Sequence, residues 1–446
     1  MQPGTGQIPP SPPPPPVTEP GACCTNAAAL CANPLEKLFG VQIPGAIANG
    51  KFNLNVRARY EQDDADNLAA YKKNSYAPTV RTRFGFTTAP LYGFQGMLEA
   101  VNVSVLGPEH NYNAAGVNSQ GARPPVGDPP MTRMDQAWVG YSYTNYFSAK
   151  LGQQQINLDN QRFIGDAGWR QNMQTFDAVS LKSSPIKDLT LYYGYVWKVN
   201  RVYGDVSGLS AANADFDSRS HLINVSYSGW DYGRLTAYAY LLDLSFTNGA
   251  AGNINSCATY GGSFAGAAPV TDQVMIDYRA EFAWQNQYAD SPLRYSAIYY
   301  NLEAGANIKP FAFGAGYEML GSGANSGAGG GRVGFKTPLF SPHSFNGWAE
   351  TFVTHPANGL RDLYAFAQVT IPWQIPVRAV YHKFDAAFDS GNYGQEVDLV
   401  ATRKFAKNWN VLVEFADYLG EDAPRPVFTT REVNVQKFWA ALEFNY

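Results

Sequence analysis

The sequence predicts an all-β fold, a transmembrane antiparallel β-barrel of the outer-membrane type. Three observations predict it. Apolar and polar side chains alternate over many consecutive segments, short turns alternate with long Gly/Asn/Ala-rich loops, and the chain ends on an alternating segment that closes with Tyr446. A period of two is the pattern of a strand whose two faces meet different surroundings. Together with the asymmetry of turns and loops, it is typical of outer-membrane barrels.

The composition fits this fold class and excludes others. Only 16% of the 446 residues are charged, while 14% are aromatic, which suits lipid-facing strands with aromatic girdles. The mean hydropathy of −0.27 is compatible with a membrane location because only every second residue of a barrel strand faces lipid. No apolar run reaches about 18 residues, so a spanning helix is excluded. A net charge of −4 without a basic tract excludes nucleic acid as a partner.

Residues 1–48 are predicted to form a Pro-rich periplasmic segment, and residues 49–446 the barrel. The run from Pro12 to Pro16 predicts a stiff polyproline II conformation. We favour a tether or spacer for this segment, and a docking peptide for a cell-wall or periplasmic partner is the alternative. Export requires a signal peptide, which we expect to have been removed.

Three cysteines, Cys23, Cys24 and Cys31, cluster in the Pro-rich segment. A disulfide from Cys31 to one of the vicinal pair is expected in an oxidising periplasm, and the pairing stays open. Lipid attachment at Cys23 is disfavoured because the apolar stretch that must precede such a site is missing.

The first predicted strand begins at Lys51 and sets the pattern for the later ones. One face is apolar and the other polar: Phe52, Leu54, Val56, Ala58 and Tyr60 against Asn53, Asn55, Arg57, Arg59 and Glu61. The same alternation returns over residues 79–86, 94–100, 189–198, 276–285 and 438–446. In hydrocarbon every strand edge must be hydrogen-bonded, so the sheet has to close on itself.

Turns and loops separate these segments. Short turns such as 184–188 alternate with predicted long loops at 204–217, 248–272 and 321–331. A soluble β-sandwich also produces alternating strands, but the recurring charged face without intervening helical patterns favours the membrane barrel. At about 22 residues per strand and connection, we expect about 18 strands, with 16 as the alternative. A barrel of that size holds water unless loops fold into it.

If the apolar face is outward, the charged face lines the lumen. The pore-lining and substrate-binding candidates from alternation are Arg57, Arg59, Arg81, Arg83, Glu99, Lys150, Lys198, Asp277, Arg279, Glu281, Arg378, His382, Glu396, Asp398 and Glu414. The four arginines from 57 to 83 lie on consecutive strands and are expected to form one guanidinium patch. Such a patch creates an anion-binding surface, or it merely pairs with neighbouring carboxylates in a polar wall. Both interpretations stay open at this point.

No pattern points to catalysis or to a cofactor. We find no nucleophile motif, no Gly-rich phosphate loop and no carboxylate pair with a defensible spacing, and the five histidines are scattered. The sequence therefore predicts a protein that is not an enzyme and holds neither a metal nor a cofactor.

Several long stretches go beyond composition. They are Gly152–Gly165, Trp169–Ala178, His343–Phe352, Pro356–Leu363, Tyr381–Phe384 and Tyr393–Leu399. Together they resemble the alginate export family of outer-membrane porins, over about residues 50 to 446.

The resemblance implies a monomeric barrel of about 18 strands with a constricted, arginine-rich lumen. It places Arg162, Asp166, Trp169 and Arg170 on a loop at or near the constriction, so Arg162 and Arg170 join the pore-lining candidates. It also makes residues 346–362 an ordered loop. One departure weakens a specific polyanion claim, because Gln153 stands where the family often has arginine.

Three functions follow as hypotheses. The first is a passive outer-membrane channel for small hydrophilic, mainly anionic, solutes. The second is the export of an anionic polysaccharide such as a polyuronate. The third is a structural envelope protein that is tethered through its Pro-rich segment. The expected surroundings are outer-membrane lipid, and the chain is expected to act as a monomer, with an oligomer as the alternative.

Overall fold

The computed structural model describes residues 37–65, 71–204, 215–247, 252–421 and 434–446. The cysteines of the Pro-rich segment lie outside the described residues. A π-helical turn (Leu38–Gln42) and helix α1 (Ile43–Ala48) precede the first strand, and no helix in the described part of the chain is long and apolar enough to span a membrane. The other described ranges contain four single 3-10 turns: Glu109–Asn111, Asn253–Asn255, Pro342–Ser344 and Pro372–Gln374.

Strands make up most of the described chain. In order they are β1 (Lys51–Ala65), β2 (Ser75–Thr87), β3 (Phe94–Val105), β4 (Met131–Tyr143), β5 (Phe147–Gln154), β6 (Thr175–Ser183), β7 (Leu189–Asn200), β8 (Phe216–Trp230), β9 (Gly233–Leu242), β10 (Leu244–Phe246), β11 (Cys257–Thr271), β12 (Val274–Gln287), β13 (Ser296–Ile308), β14 (Phe311–Leu320), β15 (Ser322–Ala324), β16 (Arg332–Gly334), β17 (Leu360–Ile371), β18 (Ile375–Asp385), β19 (Asn392–Phe405), β20 (Trp409–Gly420) and β21 (Val435–Asn445).

Eighteen of these strands form one closed antiparallel barrel. Each pairs with the next along the chain, and β21 pairs with β1 in a register that sets Ala441 opposite Arg59. The three short strands stand outside this count, because β10 only extends the wall against β8 while β15 and β16 form a separate hairpin. The predicted fold class and the larger of the two predicted strand numbers are confirmed. Closure leaves no free edge, which is the condition for a sheet in lipid.

The apolar and polar residues that alternate along the sequence of β1 lie on the outer and inner faces of this strand. Arg59 and Glu61 are buried inside, at 2% and 0% exposure, while Phe52 on the outer face is 60% exposed. Other strands repeat the scheme with exposed outer-face side chains such as Leu98 and Phe282. An outer wall of exposed apolar side chains is unfavourable in water and suits acyl chains.

One predicted loop is wrong in most of its length. Residues 248–272 were expected to be a loop, but Cys257–Thr271 is strand β11, paired with β9 and β12. Its small residues give almost no apolar contrast for a pattern to detect. Small residues are needed where the side chains of neighbouring strands come close. At Gly261, for example, a Cβ would lie 2.5 Å from the Tyr238 hydroxyl. The predicted loop at 321–331 does lie between strands, although it includes β15.

The two rims of the barrel differ. At one, which we call the short-turn rim, consecutive strands are joined by two to six residues. The other, the long-loop rim, carries connections of six or more residues, three of which matter for the lumen: loop A (residues 155–174), loop B (321–359) and loop C (106–130). In barrels of this class the short turns face the periplasm.

Loops A and B fold into the barrel and give it a core. Phe163 of loop A contacts Phe335 of loop B at 5.9 Å between ring centroids, and it also packs on Tyr238 and Tyr299 of the wall. An isolated parallel β-bridge between Ile164 and Leu339 joins the two loops directly. Eighteen strands enclose more space than their own side chains can fill, so the loops supply the missing packing.

Candidate functional site

Four arginines occupy the inner face of adjacent strands β1 and β2. We call Arg57, Arg59, Arg81 and Arg83 the basic wall. Strand register sets Arg57 directly opposite Arg81, which is the guanidinium patch expected from the sequence. Like charges at this spacing repel in a partly desolvated site, so the wall requires acceptor groups around it.

Arg57 finds its acceptors on the backbone of loop A. Its guanidinium donates to the carbonyl oxygens of Gly168 (3.3 Å), Trp169 (2.8 Å) and Arg170 (2.6 Å). Its Nε donates to Oε1 of Gln171 at 2.9 Å. The planar fork of donors suits this task, because it can bind several carbonyls at once. Arg57 therefore holds loop A against the wall through its hydrogen bonds.

Arg170 of loop A is the centre of a buried ion-pair network. It contacts both carboxylate oxygens of Glu61 at 3.1 Å and Asp128 of loop C at 3.7 Å, and it pairs with Glu350 of loop B. Arg59 pairs with the same Glu61 and Asp128. Burial alone would lower the pKa of Arg170, but the carboxylates of Glu61 and Asp128 raise it above its ordinary value. One cation thus ties loops A, B and C to strand β1.

The other two arginines of the basic wall are also paired. Arg81 donates to Oδ1 of Asn55 at 2.6 Å and to the Glu443 carboxylate at 2.9 Å. Arg83 lies 3.1 Å from Asp135, measured from Nε to Oδ2. Three of the four charges of the basic wall are therefore paired with carboxylates, whereas Arg57 is, among the described residues, hydrogen-bonded to neutral acceptors only.

Five carboxylates lie on the inner side of β14, β17, β19 and β20, on the side of the barrel that continues from β1 through β21. We call Glu318, Asp362, Glu396, Asp398 and Glu414 the acidic wall, and each is at most 4% exposed. Burying carboxylates is costly unless donors replace the lost water. Their partners come from loops A and B and from histidines.

Arg162 of loop A supplies the main positive charge at the acidic wall. Its Nε lies 2.8 Å from Oε1 of Glu318, and its NH2 donates to Oδ1 of Asn346 in loop B at 2.9 Å. His382 lies 2.8 Å from Asp362 and 3.5 Å from Asp398. Arg162, Glu318 and Asp362 are therefore parts of one buried network.

Loop B meets the acidic wall with its backbone. The amide of Ala349 donates to Glu396 at 2.7 Å, and that of Trp348 to Asp398 at 3.4 Å. Gly347 allows this close approach: its φ is +83°, and a Cβ there would lie 2.3 Å from Glu396. Only glycine combines that backbone conformation with that contact.

His343 of loop B joins the two loops. Its ring stacks on Trp169 of loop A with centroids 3.7 Å apart and an interplanar angle of 8°. Its Nε2 lies 2.6 Å from Glu414 and its Nδ1 3.2 Å from Glu350. Burial, followed by the charges of nearby arginines including Arg170, lowers the pKa of His343 well below its ordinary value.

A third anchor holds the far end of loop A. Asp159 accepts from Arg279 of β12 at 2.6 Å, from Arg234 of β9 at 2.7 Å and from Ser263 of β11 at 3.0 Å. Glu281 shares Arg279 at 2.7 Å. Burial would raise the pKa of Asp159, but the two arginines outweigh it and lower that pKa. Loop A consequently spans the lumen between β1, β9, β12 and β14.

Two polar cavities remain beside loop A. The larger, of about 450 Å³, lies between loop A and the short-turn rim, and we call it the vestibule. Its lining includes the basic-wall residues Arg57, Arg81 and Arg83 together with Glu99 and Glu443. The smaller, of about 190 Å³, lies between loops A and B beside Trp169 and His343.

The remaining predicted site residues lie apart from both walls. Lys150 stacks over Trp138 (4.4 Å), Lys198 pairs with Asp215 (3.5 Å), Asp277 accepts from Asn307, and the Arg378 guanidinium lies 4.0 Å from the centroid of Phe366. The structure thus groups the arginines of β1 and β2, and separately Glu396, Asp398, Glu414 and His382, while these four residues join neither group.

Sequence reasoning missed several residues that complete the networks. Asp128 and Glu350 lie in loops, where alternation gives no signal. Asp135 was missed because β4 bulges beside Ala100, which shifts the inward positions. Gln153 lies on the face of β5 that carries exposed Leu151, so the missing arginine there removes no charge from either wall.

Within the described ranges, no group of histidine, cysteine, aspartate and glutamate side chains has a geometry suited to a metal ion. Cys257 is buried and not part of a disulfide. Both walls are ionic and amide surfaces held together by their own pairing.

Comparison with known proteins agrees with this architecture. No curated protein matches the sequence. Among solved structures, OpdK of Pseudomonas aeruginosa, crystallised with vanillate, is 12% identical with a TM-score of 0.65, covering 90% of this chain and 100% of its own. OccAB1 of Acinetobacter baumannii is 13% identical with a TM-score of 0.66, covering 90% and 98%.

OpdG (OccK9) of P. aeruginosa is 14% identical with a TM-score of 0.63, covering 90% of this chain and 100% of its own. At such identities the likeness shows the fold alone, that of outer-membrane porins. The sequence itself matches the alginate export family over residues 49–390. The chain therefore belongs to the alginate export family and is an outer-membrane β-barrel with a porin-like channel fold.

Proposed function

We propose that the protein is a passive channel for small hydrophilic solutes in the outer membrane. The observation that carries the proposal is the lumen itself: a closed barrel of eighteen strands, lined with ionic and amide side chains and narrowed by loops A and B to small polar cavities. Such an interior offers polar contacts to a hydrated solute and excludes large ones. The channel acts as a monomer, with the short-turn rim and the N-terminal segment in the periplasm.

The anion preference expected from the arginines is proposed to be weak. Three members of the basic wall are bound to carboxylates and the fourth, Arg57, to backbone carbonyls, so within the described part of this wall a permeating anion meets only one guanidinium without a carboxylate partner. A field also runs between the basic wall and the neighbouring acidic wall. We expect it to orient dipolar solutes more than it selects by charge.

Planar-bilayer recording tests the proposal. Purified protein should give stepwise conductance increments in KCl, with a small reversal potential in a tenfold KCl gradient. A reversal potential near that of a perfectly anion-selective pore would contradict weak selectivity. Preparations that insert into bilayers but carry no current at any voltage would contradict a channel.

Export of an anionic polysaccharide is the second candidate, favoured by the family match. A polymer strand needs a continuous path, so loop A would have to leave its contacts with Arg57 and Arg170 during transport. Deleting the gene should then abolish a secreted acidic polymer, and restoring a chain with Arg57→Ala should alter its amount. Unchanged secretion in the deletion strain would dismiss export.

The structural role is the third candidate and concerns a segment outside the described residues. Deleting residues 1–33 should weaken the envelope if the Pro-rich segment is a tether. The same deletion should leave the bilayer conductance unchanged, because the barrel starts at Lys51.

A further inference from the structure

We propose that the vestibule binds uncharged, polyhydroxylated solutes such as alditols and small sugars in preference to carboxylated ones of the same size. The inference rests on the proposed channel function and names its substrate class. It is carried by the kind of side chains that line the cavity and by how their charges are matched.

The first step is charge balance. Three guanidinium groups line the vestibule, those of Arg57, Arg81 and Arg83. Glu99 and Glu443 also line it, and Asp135 neutralises Arg83 from behind. The three cations are thus largely offset by Glu99 and Glu443 in the lining and by Asp135 outside it, so an entering anion gains little net attraction and also meets the two lining carboxylates.

The second step is the excess of carboxamides. Asn53, Asn55, Gln136, Gln155 and Asn445 all line the same cavity. A primary amide presents a donor and an acceptor side by side, and a hydroxyl group likewise donates and accepts. The carboxylate group of a solute only accepts hydrogen bonds, so it would leave the amide oxygens of such a lining without donors. Hydrogen bonds that stay unmade strongly reduce the affinity for a ligand.

The third step is that the amides already form an ordered frame. Asn55 donates to Glu443 at 2.6 Å and to Asn445 at 2.7 Å, while Gln136 donates to Glu99 at 3.1 Å. Asn53 donates to the same Glu99. A pre-organised lining loses little freedom when a solute enters.

Capacity for new hydrogen bonds remains at the mouth of the vestibule and at its inner end. Asn445 lies one residue before the final Tyr446 on the short-turn rim and is exposed, and its side-chain oxygen accepts from Asn55. Gln155, at the start of loop A, donates only a long contact of 3.6 Å to the Met173 sulfur among the contacts of the described residues. These amides face a solute that arrives from the short-turn rim.

The test compares two probes of equal carbon number, glucitol and gluconate. Proteoliposomes containing the full chain are equilibrated with both solutes in high KCl, and tracer exchange of each is measured separately. Exchange needs no net charge movement, so the two rates are directly comparable. We expect glucitol to exchange at least threefold faster than gluconate.

Two variants sharpen the result. Asn445→Ala should lower glucitol exchange by about twofold or more without speeding gluconate. Glu443→Gln removes one carboxylate while keeping an acceptor, so it should raise gluconate exchange relative to glucitol. The matched control is Gln436→Ala, an exposed carboxamide on the same strand at the opposite end that donates to Asp417. It should leave both rates unchanged.

The outcomes separate the two proposals. Exchange of gluconate as fast as or faster than glucitol, in protein that conducts ions, overturns the substrate class and leaves the channel intact. Absence of both exchange and ion current overturns the channel and with it this inference. Since the wild-type comparison decides, a variant that fails to fold removes nothing from the test.

Discussion

The two walls of the lumen carry opposite charges and hold their loops through opposite ends of the peptide group. The basic wall binds loop A mainly at its carbonyl oxygens, as Arg57 does at residues 168–170. The acidic wall binds loop B mainly at its amides, as Glu396 does at Ala349. Loop A also sends charged side chains outward, Arg170 to Glu61 of β1 and Arg162 to Glu318 of the acidic wall.

The comparison teaches that lumenal charge in this barrel mainly serves the architecture. A guanidinium has only donors and a carboxylate only acceptors, so each wall can satisfy one half of a loop backbone. Removing a single member leaves its partners buried and unpaired, which is far costlier than losing an exposed pair.

Arg170→Ala should have the largest effect. It removes the cation shared by Glu61, Asp128 and Glu350, leaving three carboxylates close together. We expect a loss of about 3–5 kcal/mol in the free energy of unfolding, together with larger or noisier bilayer conductance as loop A detaches. Urea unfolding in detergent and single-channel recording measure the two effects. Unchanged stability and conductance would show that the network does not hold the loop.

Gly347→Ala tests the acidic wall through backbone geometry. The new Cβ would meet Glu396 at 2.3 Å in a residue with φ of +83°, and we expect a loss of about 2–3 kcal/mol in unfolding free energy. Gly329→Ala is the matched control, because its φ is +82° with no atom within 4 Å. It should cost only about 1 kcal/mol for the backbone. Equal losses in the two variants would argue against a tight contact at Glu396.

Asp159→Asn tests the third anchor and its pH dependence. The pKa of Asp159 is lowered in the folded protein, so its ion pairs stabilise fully above the unfolded pKa of about 3.9 and are lost as pH falls through that value and below. At pH 7 the variant should lose about 2 kcal/mol. The difference from the wild type should shrink progressively as the pH falls below about 3.9 toward the lowered pKa of Asp159 in the folded protein. Stability curves against pH check it, and a gap that stays constant down to pH 3 would contradict the assignment.

Arg219→Ala should have the smallest effect. Its Nε lies 2.9 Å from Asp243, but the Arg219 side chain is 69% exposed. Solvent screens such a pair, so we expect less than about 1 kcal/mol of lost stability and no change in conductance. A loss of unfolding free energy as large as that of Arg170→Ala would mean that burial does not decide how much an ion pair contributes to stability.

Alternation sufficed to predict the barrel and much of the basic wall. The inward positions of Arg57, Arg59, Arg81 and Arg83 follow from a period of two on clean strands. Alternation did not identify strand β11, because its glycines and alanines give no contrast between an apolar and a polar face. It also missed Asp135, because the bulge in β4 interrupts the period of two. Loop residues such as Asp128 and Glu350 have no period at all, so their part in the site was out of reach.

By itself the sequence determined the closed sheet, its two faces and the set of charged residues available to line the lumen. It did so because lipid and water impose a strict alternation on every strand. The tertiary structure alone decided what the charges bind, since that depends on where loops A and B cross the lumen. Contacts between residues more than a hundred positions apart, such as Arg170 with Glu61 or Arg162 with Glu318, exist only once the barrel has closed around them.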